Sequence, residues 1–321
     1  MRTQVGILII HGMGKKRMGY SKPLQLRLRR RLAGMTGLDI SVRDFVFEEV
    51  VWSDIVEVNQ DFVRKAVKAE FDDELEFDMA RSFIIKYAVD VLGYHRIDVG
   101  QTTNALHTAI HQRIAESLHQ LRKKVGPEAP VCVIAHSLGT VVSSNYIYDM
   151  QMQKNVVPPL ENNHLETCQT IASFYTLGSP ISLFSLKYMN KDESTIQIPA
   201  KETNRYRYGE WVNLYYDRDI MAYPIAQFNN NANLNVKDIK LESNSGLRKM
   251  IYVICLILSL PFALLPLISN RIKQLFKVAS RVLLFGLGVA SHNRYFTDKA
   301  VIETITEGLI KVWQSVQYDK A

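Results

Sequence analysis

In Val131-Cys132-Val133-Ile134-Ala135-His136-Ser137-Leu138-Gly139 a short apolar run, Val131 to Ile134, leads into a stretch centred on a serine. The run suits a buried strand, and the residues after Gly139 are compatible with a helix. Ser137 therefore stands at the apex of a strand-to-helix turn. A turn this sharp brings strand and helix close together, so it needs small side chains on both sides of the serine. Ala135 and Gly139 supply them.

The rest of the chain places further strands around this turn. Val5 to Ile10 is a continuous apolar run, as expected of a parallel strand buried on both faces, and it leads directly into His11-Gly12-Met13-Gly14. Ile171 to Leu177 reads as a strand ending in Gly178-Ser179-Pro180. Trp211 to Tyr216 reads as another, running into Asp217-Arg218-Asp219. Near the C-terminus His292 lies within Ser291-His292-Asn293-Arg294-Tyr295, and Asp298 to Val312 has helical periodicity with Thr297 in the N-cap position.

Together these segments resemble the α/β-hydrolase superfamily, in particular its lipase- and esterase-like serine hydrolases. The resemblance covers the N-terminal strand, the region from about Val131 to Leu241 and the C-terminal histidine and helix. It implies an α/β fold with a mostly parallel sheet flanked by helices. It also implies the chain order nucleophile, acid, histidine, matched here by Ser137, Asp219 and His292, with Asp217 as the fallback acid. The strand ending in His11-Gly12 resembles the superfamily's oxyanion loop, which makes the backbone N–H groups of Met13 and Leu138 the expected oxyanion donors. Two positions depart from the usual pattern: Ala135 stands where glycine is common, and Ile220 where proline is. In such a site the histidine takes the serine's proton, the aspartate holds the imidazole in the right tautomer, and an acyl-enzyme forms. Hydrolysis of a carboxylic ester, a lipid or another acyl ester, is the implied activity, with no cofactor. An acyltransferase would use the same residues, and a non-catalytic membrane-docking module on this scaffold is the alternative of a different kind.

At 321 residues and 47% hydrophobic content, the chain suits one domain over residues 1–321. A helical insertion is expected at 53–125 after an early strand from Ile40 to Val51. Its last helix, from Thr103 to Val125, places Leu106, Ile110, Ile114, Leu118 and Leu121 on one face, and Gly126-Pro127 ends it. His107 and His111 lie four apart on that helix. With no third ligand suggested nearby, they read as a polar face, and no metal site is expected. Six acids between residues 70 and 78 read as a solvated face. An Asn-rich loop, 229–235, precedes a last strand from Leu234 to Leu241. Three cysteines, Cys132, Cys168 and Cys255, make no disulfide framework, and no secretory signal is visible, so a cytoplasmic setting is expected.

Residues 250–268 form a nineteen-residue stretch without a charge, bracketed by Arg248, Lys249, Arg271 and Lys273. That is long enough to cross a bilayer. A single crossing would put His292 on the opposite side from Ser137 and Asp219, so the expectation is an apolar hairpin over 247–290 that enters one leaflet or caps the active-site entrance. A basic stretch, Lys15 to Arg31, holds eight Lys or Arg and no acid, starting just after the oxyanion loop. With a net charge of +7, this favours an anionic membrane surface as partner, and a protein peripheral or monotopic on the inner membrane face. No nucleic-acid-binding motif accompanies the charge, so nucleic acid is not expected as a partner. The pattern carries no signature of an oligomeric state.

Overall fold

The computed structural model describes residues 3–35, 40–57, 105–154, 157–185, 208–226, 236–242 and 291–318, together with positions 65, 94, 196 and 198. The expected hairpin at 247–290, the acidic stretch at 70–78, the Asn-rich loop and Cys255 lie outside the described residues, as does most of 58–104.

Six strands form one wholly parallel sheet: β1 (Val5–Ile10), β2 (Phe45–Val50), β3 (Val131–His136), β4 (Ile171–Leu177), β5 (Glu210–Tyr216) and β6 (Val236–Leu241). Their spatial order is β2-β1-β3-β4-β5-β6. The fold is therefore α/β, with helices on both faces. Every residue of β1 and β4 is buried, which accounts for the unbroken apolar sequence of β1 and the mostly apolar one of β4. One face of the sheet packs against α2 (Ala105–Val125) and α3 (Leu138–Gln151). The other packs against α1 (Lys22–Ala33) and the C-terminal helix.

The strand order reverses between β1 and β3. In open parallel sheets the crevice outside the carboxyl ends of two such strands is where ligands bind, because the connections leave in opposite directions. Here β1 ends in His11-Gly12 and β3 ends in His136-Ser137, so topology sets these two loops side by side.

Several elements differ in detail from the sequence expectation. The early strand begins at Phe45 rather than Ile40. Ser41 Oγ accepts from the N–H of Arg43 at 3.2 Å and Asp44 Oδ2 accepts from the N–H of Ser41 at 2.9 Å, and this reciprocal cap winds Val42–Asp44 into a 3₁₀ turn. The C-terminal helix, numbered α5 after the short α4 (Ile181–Ser185), spans Lys299–Tyr318. Its cap is Asp298 rather than Thr297: Asp298 Oδ1 accepts from the N–H groups of Ala300 (2.8 Å) and Val301 (3.3 Å), while the Thr297 hydroxyl donates back to the Arg294 carbonyl. Val301, Ile305, Leu309 and Val312 then form the buried stripe of α5.

On α2, Ile110, Ile114, Leu118 and Leu121 are buried as the periodicity requires, and Gly126 closes the helix with φ +93°. His107 and His111, read from sequence as a polar face, are instead buried, 3% and 0% exposed. They belong to the interior of the α2 and α3 layer. On α1, Leu24, Leu28 and Leu32 face the sheet, and Arg29 lies over the Phe47 ring at 4.7 Å. Among the described residues, no helix is long and apolar enough to cross a membrane.

Candidate active site

Ser137 joins β3 to α3 with φ 55° and ψ −131°, a conformation that side chains rarely adopt. The surroundings hold it there. Its N–H donates to the Leu177 carbonyl at 2.9 Å, and its own carbonyl accepts from the N–H of Thr140 and from the Thr140 hydroxyl at 2.7 Å. The next residue, Leu138, opens α3, so its N–H has no acceptor within the helix.

Two glycines let the β1 and β3 loops meet. A Cβ on Gly139 would lie 2.3 Å from the His11 carbonyl oxygen, and one on Gly12 would lie 2.4 Å from Ser137 Cβ. Position 135 tolerates its extra methyl group, and Ala135 is fully buried. His11 fastens the first loop through Trp52. The backbone N–H of Trp52 donates to His11 Nε2 at 3.1 Å, the indole N–H donates to the His11 carbonyl at 3.0 Å, and the two rings stack. Burial pushes the His11 pKa down to about 4, so the ring stays neutral. Met13, next to Gly12, is half-buried and packs against the core.

The loop before α5 brings His292 onto Ser137. His292 Nε2 is 2.7 Å from Ser137 Oγ, and Nδ1 is 2.8 and 3.0 Å from the two carboxylate oxygens of Asp219. All three residues are buried. Asp219 follows β5 and accepts two further hydrogen bonds, from the N–H of Met221 at 2.9 Å and from the Tyr295 hydroxyl at 2.7 Å. Burial opposes ionisation of Asp219. The bonds from His292, Met221 and Tyr295 and the proximity of the imidazole outweigh it, leaving the carboxyl below its usual pKa. Asp217, the fallback acid, is exposed with its carboxylate 3.6 Å from Lys240 Nζ and takes no part in this chain of contacts.

Two residues not assigned a role from sequence complete the arrangement. His136 donates from Nε2 to the backbone carbonyl of His292 at 2.8 Å, and its ring lies 4.8 Å from the His292 ring. Burial, with the neighbouring His292 second, pushes its pKa down to about 3, so it holds the loop as a neutral donor. Tyr295 bridges Asp219 and the N–H of Tyr216, and burial together with the Asp219 charge raises its phenol well above the ordinary range. The signal for Tyr295 was present in the three-residue spacing from His292. For His136 there was none beyond its place beside the serine.

Among the described residues, two clusters have the composition of a metal site, and neither includes a residue of this arrangement. His119, Glu161 and Glu166 are already served by Arg122, whose Nε is 3.2 Å from Glu166. The other is His107, His111 and Asp149, which corrects the expectation that the histidine pair has no third ligand nearby. Asp149 comes from α3, and only the packing of α3 on α2 brings it there.

No family model matches the chain and no curated protein is significantly similar to it. Among solved structures, it is similar to a protein from Xanthomonas campestris pv. campestris provisionally described as a hydrolase of the alpha/beta superfamily. That pair shares 10% identity over 77% of this chain and 92% of the other, with a TM-score of 0.32, a weak likeness.

Proposed function

We propose that the chain is a serine hydrolase that cleaves a carboxylic ester through an acyl-enzyme on Ser137. The observation that carries this reading is the unbroken hydrogen-bond chain Ser137 Oγ, His292 Nε2, His292 Nδ1, Asp219 carboxylate. A serine hydroxyl is a weak nucleophile until a base accepts its proton in the transition state. As Ser137 Oγ attacks the ester carbon, His292 Nε2 takes the proton, and Asp219 stabilises the imidazolium through Nδ1–H. The carbonyl oxygen gains negative charge opposite the N–H groups of Leu138 and Met13. His292 next gives the proton to the leaving alkoxide, which departs as the alcohol. Water, deprotonated by His292, then attacks the acyl carbon, and the acid leaves as Ser137 regains its proton.

The proposed substrate is a lipid or other acyl ester at an anionic membrane surface, reached from the cytoplasmic side. Lys15, Lys16, Arg17 and Met18 support it: all four are exposed, immediately after the oxyanion loop, so a basic and partly apolar rim borders the proposed site. The apolar stretch 250–268 is the second proposed contact with that surface.

A fluorophosphonate probe tests the reaction class, because only an activated serine attacks it. Labelling of the full-length protein that disappears in Ser137→Ala is the expected result. Absence of labelling in the wild-type chain would leave the scaffold as a docking module. Flotation with anionic and with zwitterionic liposomes tests the surface, the expectation being recovery with the anionic vesicles.

A further inference from the structure

His107 and His111 sit one turn apart on α2, and side chains four residues apart share a helix face. Asp149 approaches that face from the last turn of α3. One ligand atom of each of the three residues lies within 4.8 Å of the other two, and all three residues are buried. Two imidazoles and a carboxylate are ligands of the kind borderline divalent ions take.

The surroundings orient one of these ligands. The Tyr94 hydroxyl is 2.9 Å from His111 Nε2 and accepts from Asn145 Nδ2 at 3.2 Å. An imidazole whose Nε2–H is donated to an oxygen carries its lone pair on Nδ1, and such outer hydrogen bonds are how metal-bound histidines are usually held. His111 Nδ1 faces Asp149 Oδ2 at 3.7 Å. In the tautomer that donates Nε2–H to Tyr94, this lone pair faces the carboxylate, and a cation between the two turns the contact into an attraction. His107 stacks on Tyr94 with ring centroids 5.0 Å apart and lies tilted against His111 at 3.9 Å, so its ring is confined beside the same point.

We infer that His107, His111 and Asp149 bind a structural zinc ion that clamps α2 to α3. Tetrahedral ligand atoms around zinc stand about 3.4 Å apart, so the cluster closes by side-chain movements of roughly 1 Å, with one position left for an oxygen donor such as water. The site is enclosed, and none of its ligands is Ser137, His292 or Asp219. Its role is to fix the helix that begins at Ser137, not to activate water for catalysis. This inference stands whether or not the chain hydrolyses esters, because it rests on the packing of two helices.

The experiment uses the full-length chain purified with a histidine-free tag, equilibrated with Zn²⁺ and dialysed, then analysed for metal by mass spectrometry. About one zinc per chain is expected in the wild type, falling about tenfold or more in Asp149→Asn and in His107→Gln/His111→Gln. Chelation should lower the melting temperature of the wild type, and added Zn²⁺ should restore it. A wild-type chain that retains less than about a tenth of an equivalent overturns the inference, leaving a proton as the cation between His111 and Asp149. Variants that fold and keep the wild-type zinc content overturn it as well. Where a variant does not fold, the wild type loaded with Co²⁺ decides. Intense visible absorption of a tetrahedral site with nitrogen ligands is expected, and its absence counts against the site.

Discussion

The hydroxyl of Tyr295 donates to Asp219 Oδ2 at 2.7 Å, on the same carboxylate that holds His292. Tyr295 stands three residues after His292, so one turn of chain supplies two of the three groups that bind the Asp219 carboxylate. A hydrogen bond to a charged group contributes about 1.5–3 kcal/mol, and part of that is expressed in how firmly Asp219 orients the imidazole. Tyr295→Phe should lower kcat on a nitrophenyl ester about tenfold with little change in KM. Its pH profile should also move: with one bond to the carboxylate gone, the acid limb shifts to higher pH. A variant with wild-type kcat and an unmoved profile would show that Tyr295 only fills space.

The two aspartates after β5 make a sharper comparison. Asp219→Asn keeps the volume but offers the imidazole an amide, which stabilises neither the required tautomer nor the imidazolium, and a loss of about 10⁴ in kcat is expected. Asp217 is exposed and its visible partner is Lys240, so Asp217→Asn should stay within about twofold of wild type. Steady-state kinetics of the two variants under one set of conditions checks the ranking, and the reverse ranking would overturn the assignment of the acid.

What was legible in the sequence follows the local rules closely. β1, β3, β4 and β5 were visible because buried strands are mostly apolar, their few polar residues such as Ser173, Thr176 and Asn213 notwithstanding, and the turn at Ser137 because strain restricts its neighbours to small residues. Asp219 and His292 were picked out by their resemblance to the superfamily's segments and order, and the fold brings both to Ser137. The reciprocal cap of Ser41 and Asp44 was not anticipated, because it competes with an apolar pattern that also fits a longer strand. The partnership of Asp149 with His107 and His111 was out of reach for a different reason. It is made by α3 crossing α2, and nothing near residue 149 in sequence marks it. His136 shows the same limit, since the carbonyl it serves lies 156 residues away.

Two neutral histidines should make stability fall in mild acid. The pKa of His136 is lowered from 6.5 to about 3 and that of His11 from 6.5 to about 4, each chiefly by burial. Below pH 6.5 the unfolded chain takes up protons at both rings and the folded chain does not, so stability is complete above 6.5 and declines as pH falls toward 4 and 3. Asp219, lowered from 3.8, adds its own loss only below that value. Each unit of displacement corresponds to about 1.4 kcal/mol, which puts the upper bound of the combined effect on the order of 8 kcal/mol. Urea unfolding between pH 7 and 4 measures it. His136→Gln keeps a donor for the His292 carbonyl and removes the titration, so its slope should fall by about one proton. An unchanged slope would show that His136 does not titrate on unfolding.

The last prediction concerns Gly12, where the β1 loop passes Ser137. A Cβ at this position would sit 2.4 Å from Ser137 Cβ, 2.9 Å from the His136 carbonyl oxygen and 3.0 Å from Ser137 Oγ. Something must move, and the choices are limited. His11 is fastened by two hydrogen bonds from Trp52, and Ser137 is fastened to Leu177 and Thr140, so the displacement falls on Gly12 and Met13 or on the serine side chain. Either moves the proposed oxyanion donor relative to the nucleophile, and a misplacement of about 1 Å costs about 10² in rate. Gly12→Ala should therefore lower kcat and the rate of fluorophosphonate labelling about a hundredfold, with a smaller change in KM. Gly14→Ala is the control in the same loop. Its φ of +83° makes any side chain strained there, yet the added Cβ meets nothing within 4 Å, so a stability loss of about 1 kcal/mol with activity retained within a few-fold is expected. If Gly12→Ala kept activity within about threefold of wild type, the loop after β1 would not be positioning a catalytic donor at Ser137.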